Sequence, residues 1–178
     1  MTKAAQNETF HRLTIAAMIG SLENLDKILA KAEAHARQSK IETDVLLGAR
    51  LYPDMFSLIQ QLQYALYLPM DFAQHFSDVP APRVGYEEAT FEDVHASLKT
   101  AIAYLKAIPA GLLVERAQRV VPIFFDGTKG MPADDYAAIV EMPDFYFHLS
   151  IAYAILRHNG VPLAKMDFIG SYKSVPLG

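Results

Sequence analysis

The chain has 178 residues, of which 52% are hydrophobic, and its formal net charge is −4. A chain of this length can bury a full core, so we predict one domain spanning residues 1–178. Acidic and basic residues are interspersed, which argues against a nucleic-acid-binding surface, since such surfaces cluster basic residues. The absence of cysteine excludes disulfides, thiolate metal sites and cysteine nucleophiles. With no signal-peptide pattern and no apolar run of about 20 residues, we expect a cytoplasmic protein without a membrane span.

The N-terminal half predicts two long helices. Residues 10–36 carry apolar side chains at three- and four-residue steps, which is the spacing of one helix face. Gly20 interrupts this segment and predicts close helix packing or a bend. A second apolar stripe covers residues 53–76, with Pro53 suited to its first turn. Pro69 lies inside this stripe and predicts a kink or a break just before it, because proline cannot donate a backbone hydrogen bond.

The next segment predicts a third helix followed by a short strand. Thr90 and Asp93 have the spacing of a capping box and precede an apolar stripe, which indicates a helix over residues 90–108. Residues 119–125, RVVPIFF, are β-branched and aromatic and are followed by Asp-Gly, so they predict a short edge strand and a turn. Residues 133–140 predict another short helix.

The fourth long helix is predicted over residues 143–159 and is apolar nearly all round, which is typical of a central helix. Pro143 suits its first turn, and Asn159 or Gly160 can take the left-handed position that ends it before Pro162. Four such patterns predict an all-α fold, a four-helix bundle. Its long connection between the third and fourth helices would contain the short strand and turn.

His148 is the strongest candidate site residue, because it lies in the most apolar helix. Burial predicts a neutral ring with a depressed pKa and a partner on the second helix. Gln60 and Gln63 are the polar side chains predicted to be nearest on that helix, and Tyr153 follows on the fourth helix. We therefore predict a candidate pocket at His148, Gln60, Gln63 and Tyr153, with a polar small molecule as its candidate ligand.

Two further pairs combine a histidine with a carboxylate at helical spacing. Glu92 and His95 form a Glu-x-x-His pair, the motif that di-iron bundles use twice, and the sequence offers no second copy. Asp71 and His75 form a pair four residues apart near the end of the second helix. We interpret both pairs as surface pairs.

Two segments resemble a known family. Residues 145–165, FYFHLSIAYAILRHNGVPLAK, and residues 50–65, RLYPDMFSLIQQLQYA, are similar to an uncharacterised bacterial domain-of-unknown-function family. That family is grouped with the DinB/YfiT-like metalloenzyme superfamily, and the resemblance covers nearly the whole chain. It implies a DinB-like four-helix bundle. Some DinB-like proteins are thiol transferases or thiol-dependent isomerases that act on bacillithiol, mycothiol or glutathione adducts.

The resemblance also implies where a metal would bind. DinB-like proteins with an intact site use one histidine on the second helix and a His-x-x-x-His pair on the fourth. By position His148 matches the first histidine of the pair, whereas Ala152 stands at the second. Gln60 or Gln63 stands where the second helix would supply its histidine. We therefore predict no metal ligand set beyond His148 and no stoichiometric zinc or nickel.

Three functional hypotheses remain open at the level of sequence. The first is a DinB-like bundle without the complete three-histidine site, which binds a small molecule near His148 or is non-catalytic. The second is a metal-dependent thiol transferase that draws its ligands from His75, His95 or Asp71. The third is a structural or interaction protein that forms a homodimer.

Overall fold

The computed structural model describes residues 2–115, 119–123, 126–172 and 174–177. Within these ranges the chain is mostly helical, with one small antiparallel sheet. The described helices are α1 (Lys3–Leu13), α2 (Ile15–Ser39), α3 (Thr43–Gly48), α4 (Leu58–Ser77), α5 (Phe91–Ala107), α6 (Ala110–Glu115), α7 (Ala133–Tyr136), α8 (Met142–His158) and α9 (Lys165–Ile169). In the part of the chain that the structure describes, every helix is too short or too polar to cross a bilayer.

The first predicted helix is two helices, α1 and α2. α1 and α2 meet at Thr14, whose φ of −118° and ψ of −91° are not helical. The Thr14 hydroxyl donates a hydrogen bond to the carbonyl of Phe10 at 2.7 Å, so the side chain competes with the backbone ladder there. Gly20, where close helix packing or a bend was expected, lies inside the uninterrupted helix α2, so the alternative of a bend that breaks the helix is not observed.

α4 begins later than predicted and does not break at its proline. Ser57 precedes the helix, and its backbone N–H donates to Oε1 of Gln60 at 2.9 Å, so this serine marks the helix start. Pro53, the predicted first residue, lies in the preceding turn. Pro69 lies within α4, which continues to Ser77, so the alternative of a break is wrong. Pro69 has no N–H, so α4 lacks one backbone hydrogen bond. The packing of its buried apolar face against the core stabilises the helix despite this loss.

The predicted cap of α5 and the predicted strand are confirmed. Asp93 accepts hydrogen bonds from the backbone N–H and the hydroxyl of Thr90 at 2.9 and 2.7 Å. β1 covers Val120–Ile123 and pairs in antiparallel fashion with β2, Asp126–Pro132, a second strand that was not predicted. Residues 124 and 125, which the predicted strand included, lie outside the described residues.

The central helix begins at Met142, one residue before the predicted start, and Pro143 lies in its first turn as predicted. α7 leads into a turn of π-helix, Ala137–Glu141, which runs directly into α8. Glu141, at the junction, has helical φ and ψ of −65° and −50°, so the backbone coils without interruption through Pro143. Gly160 takes the left-handed position after the helix end, with φ of +88°.

The long helices enclose the core. α4 packs most extensively against α8 and also contacts α5, while α2 packs against α5 and α9. Among the largest fully buried side chains are Leu22, Leu62, Leu66, Phe72, Phe76, Leu98 and Phe145. The pairing of α4 with α8 is important for the site, because the facing sides of these two helices form its walls.

Candidate functional site

A cleft with a cavity of about 390 Å³ lies between α4 and α8, and we call it the α4–α8 cleft. This volume is within the range of roughly 300–1,000 Å³ that small-molecule sites have. Its walls are aromatic and acidic. The residues that line it are Tyr64, Tyr67, Leu68, Asp71, Gly85, Tyr86, Tyr136, Glu141 and Asp144.

Residues at helical spacing lie along the α8 side of the cleft, and two of them, Glu141 and Asp144, line it. Glu141, Asp144 and His148 follow one another at three and four residues, which places them on one side of the helix. The π-helical turn that ends at Glu141 widens the coil just before α8. Turns of this kind change the direction of side chains and occur frequently at functional sites.

Glu141 is the most unusual residue of the cleft. It is only 1% exposed, and its Oε1 atom has no hydrogen-bond partner. Burial, and then the negative charges of Asp71 and Asp144, raise the pKa of the Glu141 carboxyl to about 9. The carboxyl is therefore protonated at neutral pH, because a buried charge that lacks a compensating cation is costly.

His148 lies beside the cleft and is buried, as the apolar helix predicts, with 6% exposure. Its Nδ1 donates a hydrogen bond to Oε1 of Gln61 at 2.6 Å, and its Nε2 lies 3.4 Å from Oδ1 of Asp144. The ring stacks on the ring of Tyr64, with centroids 4.6 Å apart. Burial lowers the pKa of the imidazole, and the charge of Asp144 opposes this shift. His148 is thus a fixed, mainly neutral side chain that lies behind two lining residues of the cleft, Tyr64 and Asp144.

The α4 wall supplies tyrosines and a carboxylate. The hydroxyl of Tyr67 donates to Oδ1 of Asp71 at 3.2 Å. Burial first, and the charge of Asp71 second, raise the pKa of the Tyr67 hydroxyl above its ordinary value. Nδ1 of His75 lies 3.4 Å from the other oxygen of Asp71. Asp71 thus lies beside Tyr67, His75 and the cleft at once. The pair with His75 that the sequence indicated is present, and its two side chains are half-buried.

The loop that contains Gly85 and Tyr86 forms a third wall of the cleft, and Gly85 allows this loop to pack directly against the backbone of α4. Gly85 has φ of +84°, and a Cβ on it would lie 2.5 Å from the carbonyl oxygen of Gln63 and 2.7 Å from the backbone nitrogen of Tyr67. Only glycine fits there without moving backbone atoms. The Gly85 N–H donates to Oε1 of the buried Glu88 at 2.8 Å, which fixes the loop and places the neighbouring Tyr86 at the cleft.

The structure gives the four predicted pocket residues different surroundings. Gln60 caps α4 through Ser57, and Nε2 of Gln63 donates to the carbonyl of Glu88 at 2.9 Å. Tyr153 lies in a separate, very small cleft beside α9, where its ring meets that of Phe168 edge to face. Of the four, His148 is the one that borders the α4–α8 cleft, and its α4 partner is Gln61, a residue that the sequence did not single out.

Glu141, Tyr64 and Tyr67 were also missed. The available signal was the continuation of the spacing upstream of His148, through Asp144 to Glu141. The helix was expected to begin at Pro143, so Glu141, which precedes this residue, was not assigned to a helix face.

The residues present do not fit the metal site that the DinB resemblance implies. The α4 side chain that reaches His148 is an amide, and Ala152 occupies the position of the second histidine. His95 lies between α2 and α5, with Nδ1 2.5 Å from Oδ1 of Asp26, so it cannot join His75 or His148 in one site. Within the described ranges, no three His, Asp or Glu side chains come together as metal ligands.

Comparison with known proteins agrees with the resemblance. The model of the DUF1993 family, a domain of unknown function, matches residues 10–169. The chain is also similar to the crystal structure, at 1.83 Å resolution, of a DinB family member protein from Shewanella denitrificans, with 29% identity and a TM-score of 0.88. That similarity covers 98% of this chain and 100% of the other. No curated protein matches. This chain therefore belongs to the DUF1993 family and has the fold of a DinB family member.

Proposed function

We propose that this protein is a DinB-like four-helix bundle that binds a small molecule in the α4–α8 cleft and has no three-histidine metal site. The bundle would consist of the four longest helices, α2, α4, α5 and α8. The observation that carries the proposal is Glu141, whose carboxyl is buried in the wall of the cleft with one oxygen unpartnered. Buried polar atoms are nearly always paired, so an unpaired one in a cavity wall indicates a missing partner.

The size and composition of the cleft are those of a ligand site rather than of a packing defect. A defect in a core is small and apolar, whereas this cavity of about 390 Å³ has three carboxyl groups and four tyrosines around it. Apolar surface with a few convergent polar groups is the usual composition of a small-molecule site. The alternative of a metal-dependent thiol transferase has no such support, because the histidines it needs lie apart.

The test is a ligand screen monitored by two-dimensional NMR on isotopically labelled protein. A mixed library of cationic, neutral and anionic compounds should contain at least one that shifts the backbone signals of Tyr67, Gly85 and Glu141. Replacement of the cleft tyrosine in Tyr86→Ala should weaken that binding. Tyr172→Ala, which removes an exposed tyrosine that does not line the cleft, serves as the matched control and should bind as the wild type does.

If no compound of any class shifts these signals, the proposal is wrong. Shifts that are confined to residues outside the α4–α8 cleft would also contradict it, because the ligand would then bind elsewhere.

A further inference from the structure

We propose that the ligand of the α4–α8 cleft carries a primary ammonium group that binds to Glu141, so that the protein recognises an organic amine. This inference rests on the proposed small-molecule site and names the chemical class of its ligand. Four features of the cleft carry it: its charge, the unpartnered oxygen, the tyrosine rings and the arrangement of the carboxyl groups.

The charge of the cleft is one-sided. The acids Asp71 and Asp144 line it together with Glu141, which is protonated until a cation binds, and none of the described residues that line it is lysine or arginine. Arg83, which does not line the cleft, forms an ion pair with Glu87 at 3.1 Å. A cleft with low-dielectric walls concentrates the field of such charges and therefore attracts a cation.

The unpartnered oxygen selects the kind of cation. Oε1 of Glu141 has no hydrogen-bond partner, and in the ionised carboxylate it is an acceptor only. A primary ammonium ion brings three N–H donors together with a positive charge, and a charge-assisted hydrogen bond is stronger than a neutral one. A quaternary ammonium ion brings the charge without a donor, and an alcohol brings a donor without the charge. Both should bind more weakly.

The tyrosines supply surfaces for the rest of the ligand. The rings of Tyr64, Tyr67, Tyr86 and Tyr136 line the cleft, together with the apolar side chain of Leu68. Aromatic faces attract cations and pack well against an alkyl chain. The protein already uses one of these rings in this way, since the guanidinium of Arg83 lies 5.0 Å from the centre of the Tyr86 ring.

The arrangement of the carboxyl groups favours an organic cation over a metal ion. A divalent ion needs several ligands that converge on one point, and no such group exists among the described residues. The cavity of about 390 Å³ is also much larger than a single ion needs. An alkylammonium ion requires one close carboxylate and apolar walls, which this cleft offers.

Binding should release a proton. Without a ligand the Glu141 carboxyl holds its proton, because burial and the nearby charges raise its pKa to about 9. An ammonium group placed beside it stabilises the carboxylate, so the proton leaves to the solvent as the ion pair forms. The titratable groups around Glu141 are Tyr67, Asp71 and His75 on α4, Tyr86 in the loop, Tyr136 on α7, and Asp144 and His148 on α8.

The experiment is isothermal titration calorimetry with n-butylammonium as the probe, and with tetramethylammonium, butan-1-ol and butanoate for comparison. Wild-type protein should bind n-butylammonium most tightly of the four. The affinity should rise from about pH 6.5 to about pH 8.5, and buffers of different ionisation enthalpy should reveal the release of about one proton. Glu141→Gln should weaken binding about 10- to 100-fold and abolish the proton release.

The matched control is Glu92→Gln, the same substitution at an exposed position in the first turn of α5. It should leave both the affinity and the proton release unchanged. Butan-1-ol or butanoate binding as tightly as n-butylammonium would overturn the inference, and so would a Glu141→Gln variant with wild-type affinity. If a neutral or anionic library compound binds the cleft while the amine does not, the small-molecule site stands and the amine inference fails. If no compound binds the cleft, both proposals fail.

Discussion

The substitution Glu141→Gln tests the electrostatics of the cleft in the absence of any ligand. An exposed glutamate has a pKa of 4.5, whereas burial raises that of Glu141 to about 9. Between these values the folded protein holds a proton that the unfolded chain has released. The free energy of unfolding therefore falls as the pH rises above the lower value, and it continues to fall until the folded pKa is passed.

The magnitude follows from the size of the pKa difference. Each pH unit between the two pKa values lowers the free energy of unfolding by up to about 1.4 kcal/mol. At neutral pH the loss reaches about 3.5 kcal/mol as an upper limit, and it continues to grow toward pH 9. Glutamine has nearly the same shape and no charge, so the variant should be free of this loss.

Urea unfolding followed by circular dichroism measures the effect. Near pH 5 the wild type and Glu141→Gln should be about equally stable, and at pH 8 the variant should be the more stable by about 2–4 kcal/mol. Glu92→Gln, at its exposed position, should not show this growing difference. A Glu141→Gln variant that is less stable than the wild type at pH 8, or a stability difference that does not change with pH, would refute the assignment of Glu141 as a protonated buried acid.

Three further predictions follow from the described contacts. Gly85→Ala should lower the free energy of unfolding by at least about 2 kcal/mol in urea titrations, because the added methyl group meets backbone atoms of α4 and the left-handed φ disfavours alanine; wild-type stability would contradict this fit. His148→Ala should lose about 2–4 kcal/mol at neutral pH through a cavity and the unpaired Gln61. Because the folded pKa of His148 lies below its ordinary 6.5, the wild type should lose stability as the pH falls below that value. In calorimetric melts, the difference in melting temperature between the wild type and His148→Ala should therefore become smaller. Elemental analysis of protein purified without chelators should find less than one equivalent of zinc or nickel; one equivalent that disappears in His148→Ala would show that a metal site exists.

The long helices were predictable because their buried faces repeat along the chain. The stripes of α2, α4, α5 and α8 are visible in the sequence, and the capping box at Thr90 located the start of α5 to the residue. Boundaries were less predictable where two signals compete. Pro53 and Ser57 both resemble helix starts, and the hydrogen bond between Ser57 and Gln60 decides in favour of the second.

The site was predictable only in part, for a geometric reason. The burial of His148 follows from its neighbours along α8, but its partner depends on how α4 is rotated about its own axis. A rotation of one residue, about 100°, separates Gln61 from Gln60. The position of Glu141 in the cleft wall depends on a π-helical turn. Such a turn leaves no periodic signal in the sequence, because it interrupts the helical period.

The protonation of Glu141 and its response to an amine are tested most directly by titration of the Glu141 carboxyl carbon in ¹³C NMR, with and without n-butylammonium. We predict that this carboxyl titrates near pH 9 in the free protein and at a markedly lower pH when the amine is bound. A carboxyl that titrates near its ordinary value of 4.5 in the free protein, or at the same pH in both samples, would contradict this prediction.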